Sequence, residues 1–318
     1  MFPKEDIITV KSWMDTGDCN YEHDHKEQGT IPDSGVVYCN IEHISEFFNR
    51  CKDTDNKYIV VSGFSDYGVA LQSEYPVCLD MFKFWPLLQN TIASLGYEDL
   101  KIPARCDKDL CNINHKYSIR CNSFTHSTFD EIPDNIVKWF CCNACAKDEK
   151  IIPIPFGVNH SEETVEELSK IKHIPIDEKQ NWLYVNFQNY THERTVLNEY
   201  FASNNFPWVT QNLNSAKPHM EYLSDISRHA FVLSPEGNGV DCYRTLESLY
   251  CGSFPIVMDS LVTSSLEGLP VVRITSFSAL NLQTLRDVID RIKDEKFNYD
   301  RIRLSYWKKE IEESRNLL

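Results

Sequence analysis

From Trp182 onward the chain alternates short apolar runs with amphipathic stretches, and this pattern constrains the fold more than any other feature. Trp182-Leu183-Tyr184-Val185-Asn186-Phe187 has the length and apolar density of a buried strand, and a helical pattern over Thr191 to Phe201 follows it. Pro207-Trp208-Val209 starts another short strand, and the spacing of Met220, Leu223 and Ile226 predicts a helix over about 217–228. Next come a strand at Ala230-Phe231-Val232-Leu233, a loop with Gly237 and Gly239, a helix from Tyr243 to Tyr250 and a strand at Phe254-Pro255-Ile256-Val257. The unit recurs with Leu261 to Leu266 and then Pro270-Val271-Val272. Continuous apolar strands separated by helices imply a parallel sheet covered on both faces, because parallel neighbours need a crossover connection. The C-terminal half is therefore expected to be Rossmann-like.

Leu282, Leu285, Ile289 and Ile292 mark a further amphipathic helix. Tyr299, Ile302 and Tyr306 mark another with no strand after it, which is expected to pack back on the first half. In that half, Val36 to Cys39 and Tyr58 to Val61 read as strands around a helix with Ile44, Phe47 and Phe48, and a helix over Phe82 to Ala93 is bounded or kinked by Pro86. Charges and cysteines between Lys101 and Arg120 give no pattern. Ile151 to Gly157 reads as a strand leaving the first domain, and Glu162 to Lys170 as a boundary helix. A length of 318 residues suits two domains. The expected division is an acceptor-side domain over 1–155, a nucleotide-sugar domain over 156–298 and a terminal helix over 299–318.

Acidic residues outnumber basic ones 47 to 32, for a net charge of −15, which disfavours a broad grip on nucleic acid or anionic lipid. An anionic ligand would need a locally built site. No apolar run approaches the roughly 20 residues of a membrane span, and Met1 to Asp15 lacks the shape of a signal peptide. A cytoplasmic location without a membrane span, with the twelve cysteines reduced, is the expectation.

Phe231 to Val257 contains a strand, a loop with Gly237, Asn238 and Gly239, and a helix beginning near Tyr243. Free backbone N–H groups and the positive end of a helix dipole meet there, which suits a phosphate. Arg244 can add a bidentate contact, and Glu247, three residues on, can accept the two hydroxyls of a ribose. The plainer reading takes the glycines as turn residues and Arg244 with Glu247 as a surface ion pair. A dinucleotide fingerprint is not met, since Cys242 stands where its third glycine belongs.

The block Ser234-Pro235, Gly237-Asn238-Gly239, Asp241, Arg244, Leu246-Glu247, Gly252 and Pro255-Ile256-Val257 resembles the donor-site signature of exostosin-like glycosyltransferases. Leu183 to Phe187 with Thr191 and Arg194, Trp139-Phe140 with Asn143, Ile152 to Gly157, and Val60-Val61-Ser62 to Ser65-Asp66 resemble other segments of that family in the same order. The resemblance runs from about Val36 to Trp307 and is strongest over Trp182 to Val257. It implies an α/β, GT-B architecture, with two Rossmann-like domains facing across a cleft. It also implies inverting transfer of a sugar from a nucleoside diphosphate, most simply UDP, to a glycan or other saccharide hydroxyl, without an obligatory metal or further cofactor. The soluble microbial and algal-virus members are the nearest in form.

On that resemblance Ser234, Gly237, Asn238, Gly239, Asp241, Arg244 and Glu247 form the donor site, with Asn186, Thr191 and Arg194 beside the phosphates. The alternative is a carbohydrate- or nucleotide-binding protein of the same fold without catalysis. An epimerase would need a dinucleotide loop near the start of the chain, and none is seen. Metal-dependent transfer would look to Asp53-Thr54-Asp55 or Asp107-Lys108-Asp109, both of which read as solvated loops. Cys106, Cys111, Cys121, Cys141, Cys142 and Cys145 cluster in sequence, and Cys142 and Cys145 have zinc-ligand spacing, but a structural site usually needs a second close pair and Cys106 with Cys111 is looser than the usual gap. Inverting transfer needs a base from the first domain; Asp66 is the candidate, with His115 and His126 in reserve. Asp66→Asn is expected to leave nucleotide binding intact while transfer falls by roughly a hundredfold or more, read from turnover with saturating donor.

Overall fold

The computed structural model describes residues 2–63, 68–71, 126–129, 131–144, 148–189, 191–213, 217–237, 239–260, 262–277, 280–292 and 295–318. The first half contributes β1 (Cys19–Asn20), β2 (Gly35–Tyr38), α1 (Ile44–Cys51) and β3 (Tyr58–Ser62). A separate parallel pair, β4 (Gly68–Leu71) and β5 (His126–Phe129), precedes β6 (Ile136–Cys141) and β7 (Ile151–Pro153). β1, β2, β3, β6 and β7 form an all-parallel five-stranded sheet in that spatial order, which is also chain order. Every residue of β2 and β3 is buried, as the continuous apolar runs require. Val37, Tyr58, Val60 and Trp139 pack with Ile44, Phe47 and Phe48 of α1, whereas Val36, Tyr38, Ile59, Val61 and Phe140 face the opposite way.

After α2 (Glu162–Lys170), capped by the Ser161 side chain, come β8 (Asn181–Val185), α3 (His192–Ser203), β9 (Val209–Gln211) and α4 (His219–Arg228). They are followed by β10 (His229–Leu233), α5 (Tyr243–Tyr250), β11 (Phe254–Met258), β12 (Val272–Ile274), α6 (Leu282–Ile292) and α7 (Leu304–Ser314). The second sheet is also parallel throughout and has the order β12-β11-β10-β8-β9. Its helices divide between two faces. Leu197, Phe201, Leu285 and Ile292 of α3 and α6 cover Leu183, Val185, Phe231 and Leu233. Leu223, Ile226, Leu246 and Leu249 of α4 and α5 share a core with Tyr184 and Val232.

That second core continues into the outward face of the first sheet, so the two sheets share apolar contacts through the ends of the chain. Phe2, Ile7, Ile8, Val10 and Trp13 lie within it, with Trp307 and Ile311 of α7. Trp13 and Trp307 meet edge-on at 6.4 Å, and the Arg315 guanidinium binds both oxygens of Asp18 at 2.9 and 2.7 Å. Thr9 bridges Val158, and Ile7 bridges Arg303. The crossing is close: Gly157 has φ +107°, and a Cβ there would stand 2.6 Å from the carbonyl carbon of Thr9.

Several boundaries move for local reasons. β9 begins at Val209, after Pro207-Trp208, and β12 at Val272, after Pro270-Val271. β7 stops at Pro153, and α4 starts only after Pro218. Leu261 to Leu266 yields a short 3-10 turn, Val262–Leu266, where a helical unit was expected. β6 was not foreseen from periodicity, since Lys138 interrupts its apolar run. The helix expected over Phe82 to Ala93 lies outside the described residues.

The buried Tyr250 hydroxyl joins the chain ends to the second sheet. It accepts from the Ile8 N–H at 2.8 Å and donates to the Ile302 carbonyl at 2.8 Å. Tyr250→Phe strands both backbone groups and is expected to cost about 2 to 4 kcal/mol, read from the urea midpoint of unfolding.

Candidate functional site

In the second sheet the chain runs from β8 to β9 on one side and then returns to place β10 on the other. The strand order reverses between β8 and β10, and in open parallel sheets a crevice forms at such a point outside the carboxyl ends of the strands. Four pieces of chain converge there. They are Asn186-Phe187 after β8, the start of α3, the loop after β10 and the start of α5.

Two arginines occupy the crevice. Arg194, one turn into α3, is buried, and donates from Nε to the Glu236 carbonyl at 2.7 Å and from Nη2 to the Pro235 carbonyl at 3.1 Å. Arg244, in the first turn of α5, is half-buried, and its Nε has no hydrogen-bond partner among the described residues. Their guanidinium carbons lie 5.9 and 5.8 Å from the centre of the same Phe187 ring. Neither forms an ion pair with a described carboxylate. Burial lowers the Arg194 pKa, and the nearby Arg244 charge acts in the same direction. Burial also opposes the charge on Arg244, but Tyr222, Cys242 and Glu247 outweigh it and its pKa is raised. A guanidinium keeps its proton in proteins, so two of them with no described carboxylate in ion-pair contact make a crevice that favours an anion.

The loop is shaped around Arg194. A Cβ on Gly237 would approach Arg194 Nη2 to 3.1 Å, and the Gly237 N–H turns back onto the Gly239 carbonyl at 2.9 Å. Asn238 lies outside the described residues. α5 follows Cys242, whose side chain makes no capping bond.

One turn beyond Arg244, the Glu247 carboxylate is buried. Its Oε2 accepts from the Tyr222 hydroxyl at 3.1 Å, and its Oε1 lies 3.3 Å from His219 Nε2. The other ring nitrogen of His219 is 2.5 Å from the Glu167 carboxylate of α2. Tyr222, His219 and Phe187 were read in the sequence only as helix and strand residues. The spacing of His219 and Tyr222 puts both on one helix face, but nothing local names their partner.

The other donor-site candidates are engaged in local bonds. Asn186 donates to the Tyr184 hydroxyl at 2.9 Å, and Tyr184 in turn donates to Asp225 at 3.1 Å. Thr191 caps α3 by accepting from the Arg194 N–H at 3.2 Å. Ser234 is buried with its hydroxyl 3.2 Å from that of Thr245. Asp241 is buried and points away from the arginines in its bonding: its carboxylate accepts from the Phe156 N–H at 2.9 Å, while its own N–H donates to Asn143 Oδ1 at 2.9 Å. It ties the loop to the segment arriving from the first sheet. Phe156 and Tyr243 stack beside this tie at 5.6 Å, with planes 8° apart.

Asp66, His115, Asp107, Asp109, Cys106, Cys111, Cys121 and Cys145 lie outside the described residues, as does the side chain of His126. Asp53 and Asp55 are exposed in the turn before β3. Cys142 is buried, its thiol directed at the Pro155 carbonyl at 3.3 Å. Among the described residues no group of three or more His, Cys, Asp or Glu is placed to hold a metal, and no helix is long and apolar enough to cross a membrane. No protein-family model matches the sequence, and no curated protein matches it.

Burial pushes the Asp241 carboxyl up to about 6, against the opposing bonds from Phe156, Thr245 and Cys242. Between 3.8 and about 6 the native state therefore holds a proton that the unfolded chain has lost. The stabilisation from this group is full below the ordinary value of 3.8 and declines as pH rises through about 6. The stability of the wild type relative to Asp241→Asn is expected to fall across that window and level off above it, measured by urea unfolding at a series of pH values.

Proposed function

We propose that this crevice binds the diphosphate of a nucleoside-diphosphate sugar, in the simplest case a UDP-sugar, and that the protein transfers the sugar to a saccharide hydroxyl. The observation that carries the reading is the pair of arginines, unpaired with any described carboxylate, at a strand-order reversal in a protein of net charge −15. A diphosphate supplies the negative charge this pair lacks. As the sugar leaves, charge builds on the departing phosphate, where fixed guanidiniums contribute most to lowering the barrier. Arg194 is held by backbone carbonyls and also supports the loop, whereas Arg244 has an uncommitted Nε to offer.

Glu247 accepts one protein donor on each oxygen, which leaves lone-pair capacity on both for two ribose hydroxyls. Inversion needs a base opposite the leaving group, and Asp66, in the segment after β3, is assigned that role here. The arrangement fits a GT-B enzyme whose second domain holds the donor, in keeping with the exostosin-like resemblance. Catalysis then draws its positive charge at the leaving group from the arginines. Release of UDP from UDP-sugars would separate transfer from binding alone.

Calorimetry with UDP and uridine tests the assignment. Glu247→Ala is expected to weaken both by one to two decades, the equivalent of about 1.5 to 3 kcal/mol for hydrogen bonds to a charged group. Arg244→Ala is expected to weaken UDP more than uridine. Equal binding of both ligands to the wild type and both variants would reduce α5 to a packing element.

A further inference from the structure

Resting on the reading of Glu247 as the ribose carboxylate, we infer that His219 is its positioning residue and makes nucleotide binding strongest in the pH range in which the imidazole carries both protons. The inference starts from donor counting. An ionised carboxylate only accepts hydrogen bonds, and a neutral imidazole has one N–H and one bare nitrogen. His219 has a carboxylate oxygen at each nitrogen, Glu167 at 2.5 Å from Nδ1 and Glu247 at 3.3 Å from Nε2. Both contacts are bonds only when both nitrogens are protonated. With one proton lost, a lone pair faces a carboxylate oxygen and one contact turns repulsive.

The position of the ring supports this. His219 is the first residue of α4, where the helix dipole disfavours a positive charge. Its charge must be stabilised from outside its own helix, by Glu167 on α2 and Glu247 on α5. The other titratable or charged groups around the cluster include Tyr222, on α4 itself, Arg244, on α5, and Cys242, which both act on Tyr222, and Cys251, whose thiol lies near the Glu247 charge. Burial pulls the imidazole pKa down, but the hydrogen bonds and charges of Glu247 and Glu167 outweigh it and the net shift is upward.

The consequence for Glu247 is geometric. His219 on one oxygen and Tyr222 on the other fix the carboxylate plane while leaving each oxygen able to accept once more. Glu167 holds the far side of the ring, so a residue of the connecting helix α2 orients a residue of the crevice. A group whose pKa is raised in the folded protein contributes fully below its ordinary value, and its contribution is lost as pH rises through the folded value. Nucleotide affinity should follow the same course.

The test uses the full chain, with UDP and with uridine, which has no phosphate to titrate, in calorimetry between about pH 6.5 and 9. Imidazole nitrogen resonances of His219 are followed over the same range. In the wild type the ring is expected to be doubly protonated at the low end, and affinity for both ligands to fall about tenfold as it titrates. His219→Gln, which can still donate one bond to Glu247, should bind about threefold to tenfold more weakly at the low end and show no fall. Glu167→Gln, outside the crevice, should move the fall to lower pH together with the ring titration. Binding of UDP by the wild type with a flat profile, or an unchanged profile in folded His219→Gln, overturns the role of His219 and leaves the donor site standing. Failure of the wild type to bind UDP or uridine at any pH overturns the donor site and the role of His219 with it.

Discussion

The second half of the molecule depends on one constraint, that neighbouring strands in its sheet run parallel. Each strand must then be left at its carboxyl end and the next one entered at its amino end, so every β-to-α loop gathers at one end of the strands. A helix crosses a face after β8 and again after β9, and the order β12-β11-β10-β8-β9 sends the chain to opposite sides of β8. Phe187, Arg194, the Gly237 loop and Arg244 belong to separate segments, yet all follow a carboxyl end at that reversal. The first sheet is parallel as well, but its described strands lie in chain order and offer no such point.

Charge placement gives the crevice its character. Buried cations are ordinarily paired, because a charge removed from water without compensation is costly. The acidic cluster a short distance away is organised differently: Glu167 and Glu247 share one histidine, and Tyr222 donates to the second oxygen of Glu247. Arg194 is held by backbone carbonyls and the face of Phe187, with the Glu236 charge acting on it, while Arg244 lies over the same ring with Tyr222 and Glu247 acting on it. Asp241, three residues before Arg244, is turned to the Phe156 N–H and serves the connection between the halves. No described carboxylate forms an ion pair with either arginine, and the positive end of α5 adds to the same field.

The shared core explains why the ends of the chain matter to this arrangement. Residues 2–13 and α7 carry large apolar side chains, Trp13 and Trp307 among them, into the space between the sheets. Tyr250 closes the last turn of the helix that begins at Arg244's end of the crevice, and its hydroxyl is held by the backbone of both chain ends. The short helix α5 is therefore fixed at its carboxyl end by the termini and at its amino end by the loop that wraps Arg194.

The elements of the second half were legible because their signals are local. Trp182 to Val185 and Phe231 to Leu233 are apolar without alternation, and Leu223 with Ile226 and Leu246 with Leu249 repeat at helical spacing, so burial on both sheet faces follows from sequence alone. Gly237, Arg244 and Glu247 were read together for the same reason, since they lie within one strand-loop-helix unit. β6 was not, because Lys138 breaks its run while its neighbours β3 and β7 supply the hydrogen bonds that make it a strand. The tertiary structure alone decided that the sheet reverses at β8, that Arg194 spends its donors on the Gly237 loop, that Asp241 faces Phe156, and that His219 stands between Glu167 and Glu247. Each of these joins residues separated by dozens of positions, and the side chain involved is compatible with several local roles. Local propensity and periodicity report how a segment folds, whereas the partner of a polar side chain is chosen by which segments the core brings together.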